Sequence, residues 1–393
     1  MEIREPGPAD DLDQLVDLDA RAFGPGTPRD REQWLARVRD TVANHRLLAA
    51  FDGTRMAAAA RFHDMNQWWL GRSVPAAGVA SVMVAPEDRG KGAGRALMAA
   101  LLDLIAARGY PLSLLYPSTL RVYRSQGFEL AGRTYEAALP SQALRGITPP
   151  AGDAAPSLRR ATPEDAAEVS RVHAEVHAAA RDCGPLTWDD ATRRWLADDE
   201  LFCYLAEDGF LAYRWHGGND EIFVQRAIAG SQATTRALWA LVGSSSSIAQ
   251  TVRARVGPAE PFGLLTAEPD VELISADHHH WMLRVVDARA AVAGRGFPAG
   301  LEVAAAIRLQ DAARASNRGD WMLRVGGGRG SLERSRTAAA DPLGLDVRGF
   351  AALYAGTPVP VLRRSGLASG GAPAADALLD AAFTAQPFCL DKF

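Results

Sequence analysis

Val82-Met83-Val84-Ala85-Pro86-Glu87-Asp88-Arg89-Gly90-Lys91-Gly92-Ala93-Gly94-Arg95-Ala96-Leu97 reads as a buried strand, a tight glycine turn and the opening of a helix. Glycines at 90, 92 and 94 let backbone amides approach an anion with no Cβ in the way. The helix start behind them adds unpaired N–H groups and the positive end of a dipole. Arg89, Lys91 and Arg95 add full charges at the same point. The pattern predicts a phosphate cradle, suited to a pyrophosphate. It is not the P-loop, because no Gly-Lys-Ser/Thr closes the turn. Gly90-Lys91-Gly92-Ala93-Gly94, with Ala96 and Leu97 beyond, also fits the G-x-G-x-x-G dinucleotide fingerprint poorly.

Downstream, Leu97, Leu101, Leu104 and Ile105 form a helical stripe that Gly109 ends. Leu112 to Tyr116 is a short apolar strand, and Thr119-Leu120-Arg121-Val122-Tyr123-Arg124-Ser125-Gln126-Gly127-Phe128 follows. Arg89-x-x-Gly92-x-Gly94 resembles the R-x-x-G-x-G coenzyme A loop of the GCN5-related N-acetyltransferases (GNAT). Tyr123-x-x-x-Gly127-Phe128 resembles the Y-x-x-x-G-F segment of the same proteins. Loop, helix, strand and tyrosine in this order are far more specific than a glycine loop alone.

A chain of 393 residues exceeds one ordinary core, so two or three domains are expected. With 48% hydrophobic and 23% charged residues, the composition is that of a soluble globular protein. No apolar run is long enough to span a bilayer. Met1-Glu2-Ile3-Arg4-Glu5 is charged and no apolar stretch follows, so no secretory leader is expected. Cys183, Cys203 and Cys389 are odd in number and lack metal spacing, which suits reduced thiols in the cytoplasm. A net charge of −4 argues against nucleic acid as the main partner. Basic residues are almost all arginine, which weakens the reading of any single one. Lys91 stands out because the only other lysine is Lys392.

The first segment, to about Pro140, alternates strands and amphipathic helices and predicts an α/β fold with a mixed sheet. Strands are expected near 47–51, 56–62 and 75–84. Residues 141–156 are rich in Pro, Gly and Ala and read as a linker. The chain then begins again: Leu158-Arg159-Arg160-Ala161-Thr162-Pro163-Glu164-Asp165 resembles Ile3 to Asp10, and both precede an amphipathic helix. Ile222 to Gln225 and Thr234 to Val242 repeat the strand and helix. Between them, Ala229-Gly230-Ser231-Gln232-Ala233 has no glycine cluster and no basic residues. This predicts an internal repeat that kept the fold and lost the coenzyme site. A third segment begins near Leu283. Strands are expected around 283–287, 323–325 and 331–333, and helices after Asp346 and over 378–383. The ending Pro387-Phe388-Cys389-Leu390-Asp391-Lys392-Phe393 is too apolar for a frayed tail and should be packed.

An acetyltransferase domain, a degenerate second copy, a small α+β domain and an aromatic terminus together resemble the Eis (enhanced intracellular survival) family of actinobacterial N-acetyltransferases. The resemblance covers the whole chain. It implies a GNAT domain over 1–143, a degenerate GNAT-like domain over 157–282 and a sterol-carrier-protein-like domain over 283–393. It also implies a C-terminus that returns to the active site. By the same resemblance the cosubstrate is acetyl-CoA, no metal is needed, and the assembly is a hexamer. The substrates implied are primary amines of cationic compounds, aminoglycosides or lysine side chains. Gly92-Ala93-Gly94 follows the general acetyltransferase form, whereas relatives in the family can carry bulkier residues there; this loosens the claim of shared substrates.

Resemblance also assigns roles. Val82, Met83 and Val84 would lie on the strand that splays to admit the pantetheine arm, one N–H near Met83 or Val84 polarising the thioester. Arg89, Gly90, Lys91, Gly92, Ala93, Gly94 and Arg95 would hold the pyrophosphate. Ser118 and Thr119 either touch the coenzyme or cap the tyrosine helix. Tyr123 is the candidate acid, since a phenol near pKa 10 stays protonated at neutral pH; the alternative is a packed aromatic. No Glu or His near the loop presents itself as the base, and resemblance points to the α-carboxylate of Phe393, with a purely structural terminus as the alternative. His278-His279-His280 alternates faces along a strand-like stretch and makes a poor metal site. Trp68-Trp69 is a candidate wall for an amine pocket. Two non-catalytic readings remain: a lipid-binding protein working through its third segment, and an oligomeric scaffold.

Overall fold

The computed structural model describes the chain except residues 153–154, 267–271, 275–278 and 336–340. Its first segment runs β1 (Glu2–Arg4), α1 (Asp13–Phe23), α2 (Pro28–Ala43), β2 (Leu47–Asp52), β3 (Arg55–Trp69), β4 (Arg72–Val84), α3 (Ala93–Ala107), β5 (Leu112–Leu115), α4 (Leu120–Arg124) and β6 (Glu129–Arg133). The middle segment runs β7 (Tyr135–Pro140), α5 (Ser141–Arg145), β8 (Arg159–Arg160), α6 (Ala166–Ala180), β9 (Cys183–Thr187), α7 (Asp189–Leu196), β10 (Phe202–Ala206), β11 (Gly209–His216), β12 (Glu221–Ala229), α8 (Gln232–Gly243), β13 (Thr251–Val256), α9 (Phe262–Leu265), β14 (Glu272–Ile274) and β15 (His280–Val285). The last segment is α10 (Ala288–Gly294), β16 (Val303–Gln310), β17 (Gly319–Gly326), β18 (Arg329–Arg334), β19 (Leu343–Asp346), α11 (Val347–Tyr354), α12 (Val359–Arg364), β20 (Ala368–Ser369) and α13 (Pro373–Ala382).

Three sheets result. The first is ordered β1-β2-β3-β4-β5-β15-β6, with β9 added alongside the far end of β3. The second is β14-β7-β13-β12-β11-β10-β8, and the third β18-β17-β16-β19-β20. Successive side chains on a strand point to opposite faces, so the apolar runs of β2, β3 and β4 bury both faces of the first sheet. One face packs α3 through Leu97, Met98, Leu101 and Ile105. Of the stripe the sequence predicts, Leu97, Leu101 and Ile105 are buried here and Leu104 packs partly buried against them.

The sheets do not break at residues 143 and 282. β7 precedes residue 143 yet pairs with β13 of the second sheet. β15 spans residue 282 and inserts between β5 and β6 of the first sheet. The first and second sheets therefore exchange strands. Pairing needs only a free edge of matching polarity, and sequence distance does not restrict it.

β3 and β4 extend beyond their expected ends into a long hairpin that turns at Leu70-Gly71. Trp69 sits at that end, fully buried, edge-on to Trp281 and Tyr354. Trp68 is buried as well and packs near His177. Trp69 belongs to the core that joins the segments, and neither ring lines any of the five described cavities. His278 lies outside the described residues; His279 and His280 lead into β15.

Candidate active site

The glycine turn folds as the sequence predicts. Pro86–Asp88 forms one 3-10 turn, then Gly90 and Gly92 take φ of +78° and +89°, which L side chains rarely adopt. Gly92 is the N-cap of α3. The first amides of α3 have no intrahelical acceptor and point out at the turn. Gly94 lies against Val84, and a Cβ there would approach the valine at 3.1 Å. Asp88 braces the turn from inside, accepting from Arg55 at 2.7 Å and from Lys91 at 3.2 Å. Arg89 donates to the Val84 carbonyl at 3.3 Å. The residues present fit a pyrophosphate: bare amides, a helix start and cations on an exposed rim.

β4 and β5 run parallel and pair only at Ala76–Leu112, Ala77–Ser113 and Gly78–Leu114. β4 then continues to Val84 with no partner on that side among the described residues. On its other side it keeps β3, through a bulge in which Ser81 and Val82 oppose Ala60 and Ser81 takes φ +50°. The edge of 79–84 facing β5 is thus an open wedge that leads back to the glycine turn.

The two faces of this wedge carry different groups. Ala77 and Val79 pack with α3 and Tyr123. Tyr123 is buried and edge-on to Phe128, with Ser118 near its phenol. Burial pushes its pKa above the ordinary phenol value. Thr119 is the N-cap of α4, but its side chain makes no capping bond. Gly78 points to the opposite face, where a Cβ would strike Met65 and approach the Phe393 ring at 3.0 Å. Absence of a side chain at 78 therefore makes the space that the chain terminus fills.

Phe393 packs among Tyr116, His63 and Trp188, at centroid distances of 5.3, 6.3 and 6.4 Å. The terminal segment reaches this point along a built path. Phe388 N–H donates to Cys183 O and Cys389 N–H to Arg133 O. Arg226 binds the Asp391 carboxylate, and the Tyr116 hydroxyl donates to the Asp391 carbonyl. The ring that meets Phe393 is Tyr116, while Tyr123 stays on the α3 face. A cleft of about 430 Å³ opens beside Phe393, lined by His63, Trp188, Trp195 and several arginines. His63 is held neutral: burial and the nearby cations Arg61 and Arg194 press its pKa down to about 2.

Three family models match the chain. Residues 2–131 and 184–285 each match an Acetyltransferase (GNAT) domain, and 288–390 match a Sterol carrier protein domain. A GCN5-related N-acetyltransferase from Kribbella flavida superposes with a TM-score of 0.93 at 40% identity, covering 100% of this chain and 98% of that one. A Streptomyces avermitilis protein described as an uncharacterized N-acetyltransferase is 28% identical over 88% of both chains. N-acetyltransferase Eis of Mycobacterium tuberculosis is 26% identical over 77% of both. The chain is an Eis-family member of the GCN5-related N-acetyltransferases. It is an acetyltransferase enzyme, of a superfamily that uses acetyl-CoA. The second GNAT domain and the sterol-carrier-type third domain stand as the sequence predicted. Among the described residues no helix is long and apolar enough to cross a membrane, and no group of His, Cys, Asp and Glu is arranged to hold a metal.

Several residues at the cleft escaped the sequence reading: Tyr116, His63, Arg61, Trp188, Trp195, Arg194 and Arg226. One signal was available. Trp188, Ala191 and Trp195 are spaced three and four apart, one face of a helix, and all three line the cleft. The arginines gave none, because the composition uses arginine everywhere.

Proposed function

We propose that this enzyme transfers the acetyl group of acetyl-CoA to a primary amine by direct attack on the thioester. The observation that carries this is the β4/β5 wedge, with Tyr123 on one face and Phe393 on the other. The cosubstrate supplies an activated acyl group and a thiolate leaving group. Gly90 to Arg95 hold its pyrophosphate, and the free edge of Val82, Met83 and Val84 pairs with its pantetheine. An N–H at Met83 or Val84 faces the carbonyl oxygen as charge gathers there. Ser118 and Thr119, at the start of α4, touch the coenzyme.

The acceptor enters on the Phe393 side. The α-carboxylate of Phe393 takes the ammonium proton, directly or through a water, so that nitrogen attacks as a free amine. As the C–N bond forms and the C–S bond breaks, Tyr123 gives its proton to the sulfur, and the second proton shed by nitrogen as the amide forms returns to the phenol through solvent. Burial suits the phenol to this role, since it keeps the proton on. Anchoring of the terminus by Tyr116 and Arg226 fixes the carboxylate relative to the wedge.

By resemblance the assembly is a hexamer and the acceptors are aminoglycosides or lysine side chains; the setting is cytoplasmic. Three buried free thiols suit a reducing compartment. The test is thiol release from acetyl-CoA with a panel of aminoglycosides, polyamines and lysine peptides. Absence of release with every amine, in protein that binds the coenzyme, would favour the lipid-binding or scaffold reading.

A further inference from the structure

The cleft beside Phe393 is cationic. Arg37, Arg61, Arg194, Arg226, Arg255 and Lys392 line it, with Asp391 as the one side-chain carboxylate among the described lining residues. The chain terminus adds one more negative charge against the five guanidiniums. An adjoining space of about 850 Å³ shares Arg37, Arg61 and Arg194, but its further arginines are balanced there. Arg46 pairs with Asp40, Arg193 with Asp190, and Arg214 with Asp198. In the inner part Arg226 pairs with Asp391 and Arg255 lies 3.9 Å from Glu136, whereas Arg61 and Arg194 make no ion pair with a carboxylate among the described residues.

Two of the inner guanidiniums are buried and incompletely bonded. Arg61 is 6% exposed; its Nε donates to Ser81 Oγ at 3.1 Å, and its Nη1 has no hydrogen-bond partner. Asp19 is the carboxylate whose field reaches it, but no ion pair or hydrogen bond joins the two. Burial and the neighbouring arginines lower its pKa to about 10, so it remains charged at neutral pH. Arg226 is 2% exposed; it binds Asp391 through Nη2, and its Nη1 is unpartnered. Trp195 and Trp188 stack on Arg226 and Arg194 at 4.5 and 4.6 Å. A buried charge without a counterion is costly, and a fold keeps one where a ligand completes it. Planar guanidinium forks match carboxylate and phosphate oxygens. A polycation meets repulsion in the same place.

We infer that the acceptor amine also carries an anionic group, a carboxylate or phosphate, and that Arg61, flanked by Arg194 and Arg226, holds that group. This rests on the cleft being the acceptor site of the proposed transfer, and it replaces the polycationic acceptor that resemblance implies. The arginines have a second effect: like charges lower the pKa of an approaching ammonium, so the acceptor loses its proton to Phe393 more readily.

The experiment compares paired acceptors that differ by one anion. Lysine against lysinamide tests a carboxylate, phosphoethanolamine against ethanolamine tests a phosphate, and kanamycin represents the polycations. Each is assayed for thiol release from acetyl-CoA, and for binding by calorimetry to the full chain saturated with coenzyme A. The acidic member of at least one pair should be favoured roughly tenfold or more in kcat/KM and in Kd. Arg194→Gln, at an exposed position, should raise KM for that acidic acceptor with little change in kcat and narrow the gap within the pair. Arg61→Lys should do the same if it folds. Equal treatment within both pairs, or preference for kanamycin, would overturn the inference and leave the transferase reading intact. Binding of the acidic members without thiol release would instead count against the transferase reading.

Discussion

The Tyr116 hydroxyl donates a 2.5 Å hydrogen bond to the carbonyl oxygen of Asp391, 275 residues further along the chain. This contact ties the end of β5 to the last turn of the polypeptide. It sets Phe393 against Gly78, where the wedge begins. Tyr116→Phe should keep the fold and lose about 1 kcal/mol of stability. Turnover should fall further, on the order of tenfold to a hundredfold, because a slack terminus misplaces its carboxylate. Thermal unfolding and kcat, measured together, separate the two effects.

Deletion of Phe393 should abolish most turnover and leave coenzyme binding in place. Residues appended after Phe393 should do likewise, since a peptide bond then replaces the carboxylate and new bulk enters the cleft. A variant with a long C-terminal extension and normal kcat would refute the role assigned to the chain end.

Tyr123→Phe should retain coenzyme affinity and lose roughly 10²–10⁴-fold in kcat. The pH profile offers a separate check. Burial raises the phenol pKa, and the protonated form is the active one. Wild-type kcat should therefore show no alkaline limb from Tyr123 below about pH 10. A limb well below that, removed by the substitution, would contradict the assignment.

Gly92→Glu with Gly94→Glu should eliminate coenzyme binding. The first puts a side chain where φ is +89°, the second crowds Val84, and both add negative charge to the cradle. Calorimetry on the wild type should find one coenzyme per chain, because the second domain has Gly230 alone where the first has its glycine cluster. Two per chain would mean that the second domain still binds.

Arg284 and Asp311 form a buried pair, with Arg284 Nη2 2.9 and 2.7 Å from the two carboxylate oxygens. It joins β15 of the first sheet to the third segment. Asp311→Leu alone should destabilise the fold by about 3–5 kcal/mol, because a charge is left unpaired, whereas Arg284→Met combined with Asp311→Leu should recover much of that. Urea denaturation of the two variants tests the contrast.

Burial pushes Glu260 up to about 7, and it accepts a hydrogen bond from Trp239 at 3.1 Å. In the unfolded chain the group ionises near 4.3. Between these values the folded protein holds a proton that the unfolded one has lost. This contribution to stability therefore falls as pH rises through that window and levels off above pH 7. Glu260→Gln should remove the slope and raise the melting temperature at pH 8 more than at pH 5.

The coenzyme half of the site was legible in the sequence because its parts are local. Glycines at 90, 92 and 94, the strand before them and the helix after them are consecutive, and each takes its conformation from its own backbone and nearest neighbours. Repetition of the same order of elements, without the glycines, likewise exposed the second domain. The apolar terminus announced that it would be packed, but not against which surface.

The acceptor half was decided by tertiary structure. Arg61 on β3, Trp188 and Arg194 around α7, Arg226 on β12 and Phe393 at the chain end come from four separate stretches, and no spacing links them. They meet because β9 extends the first sheet, β7 and β15 are exchanged between sheets, and the terminal segment threads between them. Such pairings depend on which edges lie free once both sheets have formed. The sequence by itself thus determined what holds the coenzyme, through local backbone conformation. The charge and shape offered to the acceptor arose only when distant segments packed, because burial and the field of neighbouring arginines are properties of the assembled fold.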